Sequence, residues 1–417
     1  MKITKIIGRE IYDSRGMPTL ECELFLEEGY SVTSSVPSGT SKGQFEAKEL
    51  RDAKRLGGHG VAVAIENLEN IIAPALIGQE PEAITMDLHM IELDGTIDKS
   101  KLGANTILAA SMCIFRAQSL IAGVEPYELA GHLCDFNSVS LPFPMFNVLN
   151  GGVHADNGLM IQEIMVIPVG AQSFRDSMEG GFVVNQELKQ VLKEKKRSTL
   201  VGDEGGFAPV CTDEEEALDI MMLAIERAQQ KTGLRYVLAL DVAASQFYDY
   251  EKQTYRWHEQ TKTTQELVDW YEKLAHAYPL YSIEDGLADT DFDGWKELTS
   301  RLGEKILIIG DDLFATNQHR IVQGIEQGLA TGVIIKPNQV GTVTETLQAI
   351  KLCKAYDLQA IVSHRSGETN DTFIVDLVVG CSVPYIKAGG FSRGERMAKY
   401  NQLMRIEDFL MFSLLGS

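Results

Sequence analysis

The chain has 417 residues, 44% hydrophobic and 23% charged, a composition that excludes a disordered or fibrous protein. Its 59 acidic and 38 basic side chains leave a net charge of −21, which argues against nucleic acid or an anionic membrane as a partner. A chain of this length suits two or three domains and buries a full core without disulfides or structural metal.

The N-terminal stretch MKITKIIGREIYDSRG carries charges where a signal peptide needs an apolar run. Residues 1–36 alternate apolar and polar, as in ECELFLEEGYSVTSSV, and predict a small antiparallel sheet. A Gly/Ser-rich loop follows at 37–43. EAKELRDA and the stretch from about 60 to 133 carry helical periodicity, for example ANTILAASMCIFRAQSLIA. Proline and glycine then punctuate SVSLPFPMFNVLNGG at 138–152. The boundary is set there, between an N-terminal α+β domain at 1–133 and a second domain at 138–417. Cys22, Cys113, Cys134, Cys211, Cys353 and Cys381 form no CxxC pair, so buried free thiols in a reducing compartment are expected. No run of 18 apolar residues occurs, so no membrane insertion is expected and the chain reads as cytoplasmic.

The last two thirds have a different regularity. Short β-rich runs each end in a charged residue or histidine: YVLAL before Asp241, PLYSI before Glu284, ILIIG before Asp311, GVII before Lys336, AIVS before His364 and PYI before Lys387. The intervals are 43, 27, 25, 28 and 23 residues, filled by helical patterns such as TQELVDWYEKLAHA and TLQAIKLCKA. Strands alternating with helices predict a parallel sheet, and six such units suit a closed (β/α)8-type barrel. In such a barrel the strand ends converge on one mouth. A carboxylate after a single strand is as readily a helix N-cap. Six successive ends reading acid, acid, acid, base, His, base are not explained by capping.

Asp241, Glu284 and Asp311 are hard oxygen ligands on successive strand ends. Brought together they repel unless a cation offsets them, which points to Mg²⁺ or Mn²⁺ rather than zinc. Lys336, His364–Arg365 and Lys387 supply the opposite charge. Metal on one side and cations on the other suit a small substrate with several negative charges and a developing enolate. Lys336, near a dication and a second lysine, is expected to have its charged form disfavoured and to serve as a base. The chain has no GxxxxGK[ST], no full GxGxxG after a strand, no HExxH and no GxSxG. LVGDEGGFAP puts Glu204 in a glycine-flanked turn, and NVLNGGVHADNGLMIQE carries His154, Gln162 and Glu163 near the start of the barrel.

Taken together, DSRGMPTLE, VPSGTSKG, DGTIDKSKLGAN, NVLNGGVHADN, VGDEGGFAP, ALDVAASQFYD, SIEDGLA, GDDLFATN, KPNQVGT, SHRSGET and KYNQLMRIE resemble enolase (phosphopyruvate hydratase) segments, in enolase order, over residues 4 to 408. The resemblance implies a Mg²⁺-dependent hydro-lyase of glycolysis and gluconeogenesis, which reversibly dehydrates 2-phospho-D-glycerate to phosphoenolpyruvate. It implies Lys336 as the base at C2 and Glu204 as the acid at the C3 hydroxyl, assisted by Glu163. Asp241, Glu284 and Asp311 would hold one Mg²⁺, and Ser41 in the 37–43 loop a second, shared with the phosphate. Arg365 and Ser366 would grip the phosphate, Lys387 would contact the carboxylate side, and His154, Gln162 and His364 would line the pocket. A homodimer is the family expectation, with octamers as the alternative.

Four positions depart from the usual family pattern: Met17 for asparagine, Lys42 for threonine, Gln246 for glutamate and Ala388 for threonine. The loop GGFSRGER after Lys387 also differs. Lys42 and Ala388 are near enough in sequence to reach the pocket, which opens the reading of a paralogue retuned for a phosphonate analogue. A racemase or cycloisomerase of the same superfamily is opposed by Glu204, SHRSGE and the loop serine. A surface adhesin is opposed by the ending MFSLLGS, which has no terminal lysine.

Overall fold

The structure is a computed structural model that describes residues 1–40, 43–136 and 138–415. Strands β1 (Ile3–Tyr12), β2 (Pro18–Leu26) and β3 (Ser31–Ser35) form an antiparallel sheet in that order. In β2 alternate side chains from Leu20 to Leu26 are buried, so one face packs on the helices and the other meets solvent. Helix Ala104–Ala122 lies against β2 and β3. By length and composition this helix is long and apolar enough to cross a membrane, yet 78% of its apolar window is buried inside the protein. It is the core helix of this layer.

One helical expectation fails. Residues 46–53, EAKELRDA, form no helix. Their backbone groups pair elsewhere: Ala47 N donates to the Gln339 carbonyl, Lys48 N to the Asp98 carbonyl and Leu50 N to Asn105 Oδ1. Tertiary hydrogen bonds override local propensity, and the segment becomes a strap lying on the barrel.

The second part is a closed eight-stranded barrel. Its strands are β4 (Phe143–Asn150), β5 (Glu163–Ile167), β6 (Val237–Asp241), β10 (Leu280–Glu284), β11 (Leu307–Gly310), β12 (Gly332–Ile335), β13 (Gln359–Ser363) and β14 (Tyr385–Lys387). The α/β barrel expected from the alternation is present, with one strand reversed. β5 runs antiparallel to both β4 and β6, while the other pairs are parallel. No helix of crossover length separates β4 from β5, and without such a crossover neighbouring strands pair antiparallel. The long interval between Asp241 and Glu284 holds a small antiparallel sheet, β7 (Tyr248–Asp249), β8 (Thr254–Trp257) and β9 (Gln260–Lys262), which strand counting alone did not anticipate.

Met145, Met165, Ile167, Ala239, Ile309, Ile334 and Ile361 pack together as a small apolar core of their own, contributed by six barrel strands. Strand side chains alternate with a period of two. Asp241, Asp311, Lys336 and Glu163 therefore share a face with Ala239, Ile309, Ile334 and Met165, and stand one layer above this plug. All six cysteines are free thiols, five of them buried.

Candidate active site

The barrel order reads β6, β10, β11, β12, β13, β14, β4, β5 around the ring. Three neighbouring strands end at or just before Asp241, Glu284 and Asp311. The next three end at or just before Lys336, His364–Arg365 and Lys387. β5 is reversed, so its first residue, Glu163, lies at the same mouth and pairs in register with Asp241. The Glu204 turn joins β4 through a bridge between Leu149 and Phe207. His154, Gln162, Glu163, Glu204, Asp241, Asp311, Lys336, His364, Arg365, Ser366 and Lys387 line one small polar cavity. Glu284 reaches it through Lys387. Among the residues expected from the sequence, only Ser41 lies outside the described residues, together with Lys42.

Lys387 is 2% exposed, and its Nζ lies 2.7 Å from Glu284 Oε2, 3.2 Å from Asp241 Oδ2 and 3.4 Å from Glu163 Oε2. These three carboxylates hold its pKa well above the ordinary lysine value against the opposing effect of burial. Lys336 is ion-paired to Asp311, whose other oxygen accepts from Gln339 Nε2 at 2.9 Å. Burial lowers the Lys336 pKa, but Asp311 outweighs it and the net shift is upward. Paired directly with Asp311, Lys336 has its charged form favoured; the disfavoured charge expected from the sequence belongs to a site in which a cation takes up the charge of Asp311.

Glu163 and Glu204 form the third group. One ligand oxygen of each and a ring nitrogen of His154 lie within 4.8 Å of one another. Burial, then the charge of Glu204, pushes the Glu163 pKa well above its ordinary range. Burial also opposes ionisation of Glu204, yet His364 and His154 beside it carry its pKa well below that range. Asn147 Nδ2 adds a 2.9 Å hydrogen bond to Glu204 Oε2. The two shifts run in opposite directions, which favours a proton on Glu163 over one on Glu204.

The expected phosphate grips are engaged by the N-terminal part. Arg365 pairs with Glu46 through both guanidinium nitrogens, at 2.8 and 3.1 Å. Ser366 Oγ accepts from Thr40 N at 2.7 Å, and Ser38 pairs with Gly367 in a short bridge. The loop next to Ser41 is thus docked on the Ser366 turn.

Seven buried carboxyl groups meet here: Glu163, Glu204, Asp241, Glu284, Asp285, Asp311 and Asp312. Lys336 and Lys387 are the ammonium groups among them. Burial and mutual repulsion raise the pKa of Glu284 and Asp285 well above their ordinary values, and that of Asp312 to about 8. This surplus of hard oxygen donors fits a divalent cation such as Mg²⁺. Among the described residues, Asp285, Asp311 and Asp312 bring one oxygen each within 4.8 Å of one another, and Asp241, Glu284 and Asp311 do not form such a set. Asp285 accepts from the backbone N–H of both Asp311 and Asp312 at 2.8 Å, so it orients that turn. Asp241 and Glu284 are instead bridged by Lys387.

Sequence reasoning assigned no role to Asn147, Glu46, Asp285, Asp312, Gln339 or Arg396. All lie within quoted motifs or next to them, but their partners are distant in sequence. Of the departures, Ala388 is buried in the main core and does not line the cavity. Gln246 is exposed, in a neighbouring cleft that also touches Gln162. A wider apolar cleft at Leu141, Phe143, Phe174 and Leu410 carries one titratable group, Glu407, already accepting from Phe174 N and Arg175 N.

Residues 3–129 match the family model described as enolase, N-terminal domain, and residues 138–413 match that described as enolase, C-terminal TIM barrel domain.

Proposed function

The chain belongs to the enolase family, and on that premise we propose that this lyase reversibly dehydrates 2-phospho-D-glycerate to phosphoenolpyruvate. One observation carries the reading. Lys336 follows β12, and Glu163 opens β5, four strands away around an eight-stranded ring. Base and acid pair therefore face each other across the cavity, with the cations Arg365 and Lys387 on the strands between. That arrangement suits removal of a C2 proton on one side and departure of a C3 hydroxyl on the other.

In this reading Lys336 Nζ accepts the C2 proton as the neutral amine, a form favoured once a cation takes up the charge of Asp311, and the proton held by Glu163 and Glu204 passes to the hydroxyl as it leaves as water. Glu163 supplies that proton and Glu204 relays it to the hydroxyl, leaving both carboxylates ionised, so the acid is the pair rather than one residue. Arg365 and Ser366 bind the phosphate, exchanging Glu46 and Thr40 for its oxygens. Asp241, Glu284 and Asp311 would hold Mg²⁺, with Asp285 orienting Asp311. When bound, the ion supplies positive charge beside the substrate carboxylate, where negative charge builds up. Lys387 adds to that charge from the other side of Asp241 and Glu284.

The test is ultraviolet absorbance of the purified chain with 2-phosphoglycerate, with and without Mg²⁺. The product's enol double bond absorbs and the substrate does not. Mg²⁺-dependent turnover, lost in Lys336→Ala and Glu204→Gln, is the expected result. No turnover by a folded, Mg²⁺-loaded protein would falsify the reading.

A further inference from the structure

Arg396 is fully buried, yet it touches neither the cavity nor any carboxylate expected to bind metal. It sits in the first turn of the C-terminal helix, Gly394–Leu415. A buried cation needs strong partners. Glu395 Oε1 lies 3.2 Å from its Nε as an ion pair without a hydrogen bond, and its Nη donors go to two turns that carry site residues. Nη1 reaches His364 Nδ1 and the Arg365 carbonyl, each at 2.6 Å. Nη2 reaches the Ser366 carbonyl and, at 3.4 Å, that of Asp203.

The His364 contact has a chemical consequence. A guanidinium has donors only. A ring nitrogen 2.6 Å from it must accept, so Nδ1 carries no proton. In the neutral ring the proton is then on Nε2, which lies 3.3 Å from Glu204 Oε2 though it makes no hydrogen bond to it. The other groups acting on the His364 ring are Glu204 and Glu368. The same region is braced further: Gly390 N donates to the Glu204 carbonyl at 2.8 Å, and Arg393 Nη2 to the Gly202 carbonyl at 3.2 Å.

We propose that Arg396 is a positioning residue of the acid side: it sets the tautomer of His364 so that the ring proton is on Nε2, the nitrogen next to Glu204, and it ties the Glu204 turn to the Arg365–Ser366 turn. The proposal rests on the dehydratase reading for its kinetic consequence only.

The experiment labels the eight histidines of the full chain with ¹⁵N and reads the ring-nitrogen shifts at neutral pH, with His364 assigned by its loss in His364→Gln. Wild-type His364 is expected to be protonated on Nε2 alone. In Arg396→Gln a mixture of the two tautomers is expected, with kcat for 2-phosphoglycerate lower by about 100-fold, as for a misplaced catalytic group. Arg396→Lys, which keeps a cationic donor, is expected to recover the tautomer and part of kcat. A wild-type proton on Nδ1 overturns the proposal, and so does an unchanged tautomer in folded Arg396→Gln. If Arg396→Gln does not fold, the wild-type and Arg396→Lys spectra decide. The spectra need no substrate, so failure of the dehydratase reading is seen separately, as absent wild-type turnover.

Discussion

Replacing Lys387 by methionine keeps its approximate length and removes the ammonium that, among the described residues, bridges Glu163, Asp241 and Glu284. Taking one partner from a buried ion pair destabilises by about 3–5 kcal/mol, because the charge left behind is buried and uncompensated. The carboxyls escape part of that penalty by taking up protons. Burial leads in raising Glu163 and Glu284 above the ordinary 4.5, and Lys387 opposes the rise, so its loss lifts both further. A carboxyl whose folded pKa exceeds its unfolded one favours folding below the unfolded value and loses that stabilisation as pH rises through the folded one. The deficit of Lys387→Met should therefore be small below pH 4.5 and full above the raised values. Mg²⁺ should restore more stability to the variant than to the wild type, since it becomes the main counter-charge. Free Mg²⁺ at a hundred times its Kd restores about 2.7 kcal/mol. Urea unfolding from pH 4 to 8, with Mg²⁺ and with chelator, measures both effects. A deficit independent of pH, together with equal Mg²⁺ stabilisation of both proteins, would refute the picture of one shared carboxylate cluster.

Two further outcomes are expected. Asp87 is buried, bonded to Thr344, and burial pushes its pKa from 3.8 to about 6. By the same sign argument it loses about 3 kcal/mol of folding free energy between pH 4 and 6; Asp87→Asn should flatten that part of the stability–pH curve and be the more stable protein at pH 8 in urea titrations. Gly205 follows Glu204 at φ +89°, and a Cβ there would lie 2.4 Å from the Ser392 carbonyl oxygen. Gly205→Ala should destabilise by about 1–3 kcal/mol and lower kcat more than it raises KM, because it displaces the acid turn and leaves the phosphate turn in place; unchanged kcat would remove Glu204 from the chemistry.

The repeating pattern of the chain already determined much of this. Six apolar runs ending in charge or histidine located the strand ends of β6 and β10–β14, because a buried parallel strand must be apolar and its terminus must meet solvent or a site. The motifs carried the family. Other features depended on partners far away in the chain. EAKELRDA has helical periodicity, yet Gln339, Asp98 and Asn105 take its backbone hydrogen bonds and hold it extended. The reversal of β5, which brings Glu163 to the mouth, is a matter of pairing rather than propensity. The upward shift of Lys336 and the opposite shifts of Glu163 and Glu204 follow from distances to Asp311, His154 and His364. Composition cannot encode those distances: electrostatic coupling in a buried cluster depends on separation and desolvation, and only the closed barrel sets both.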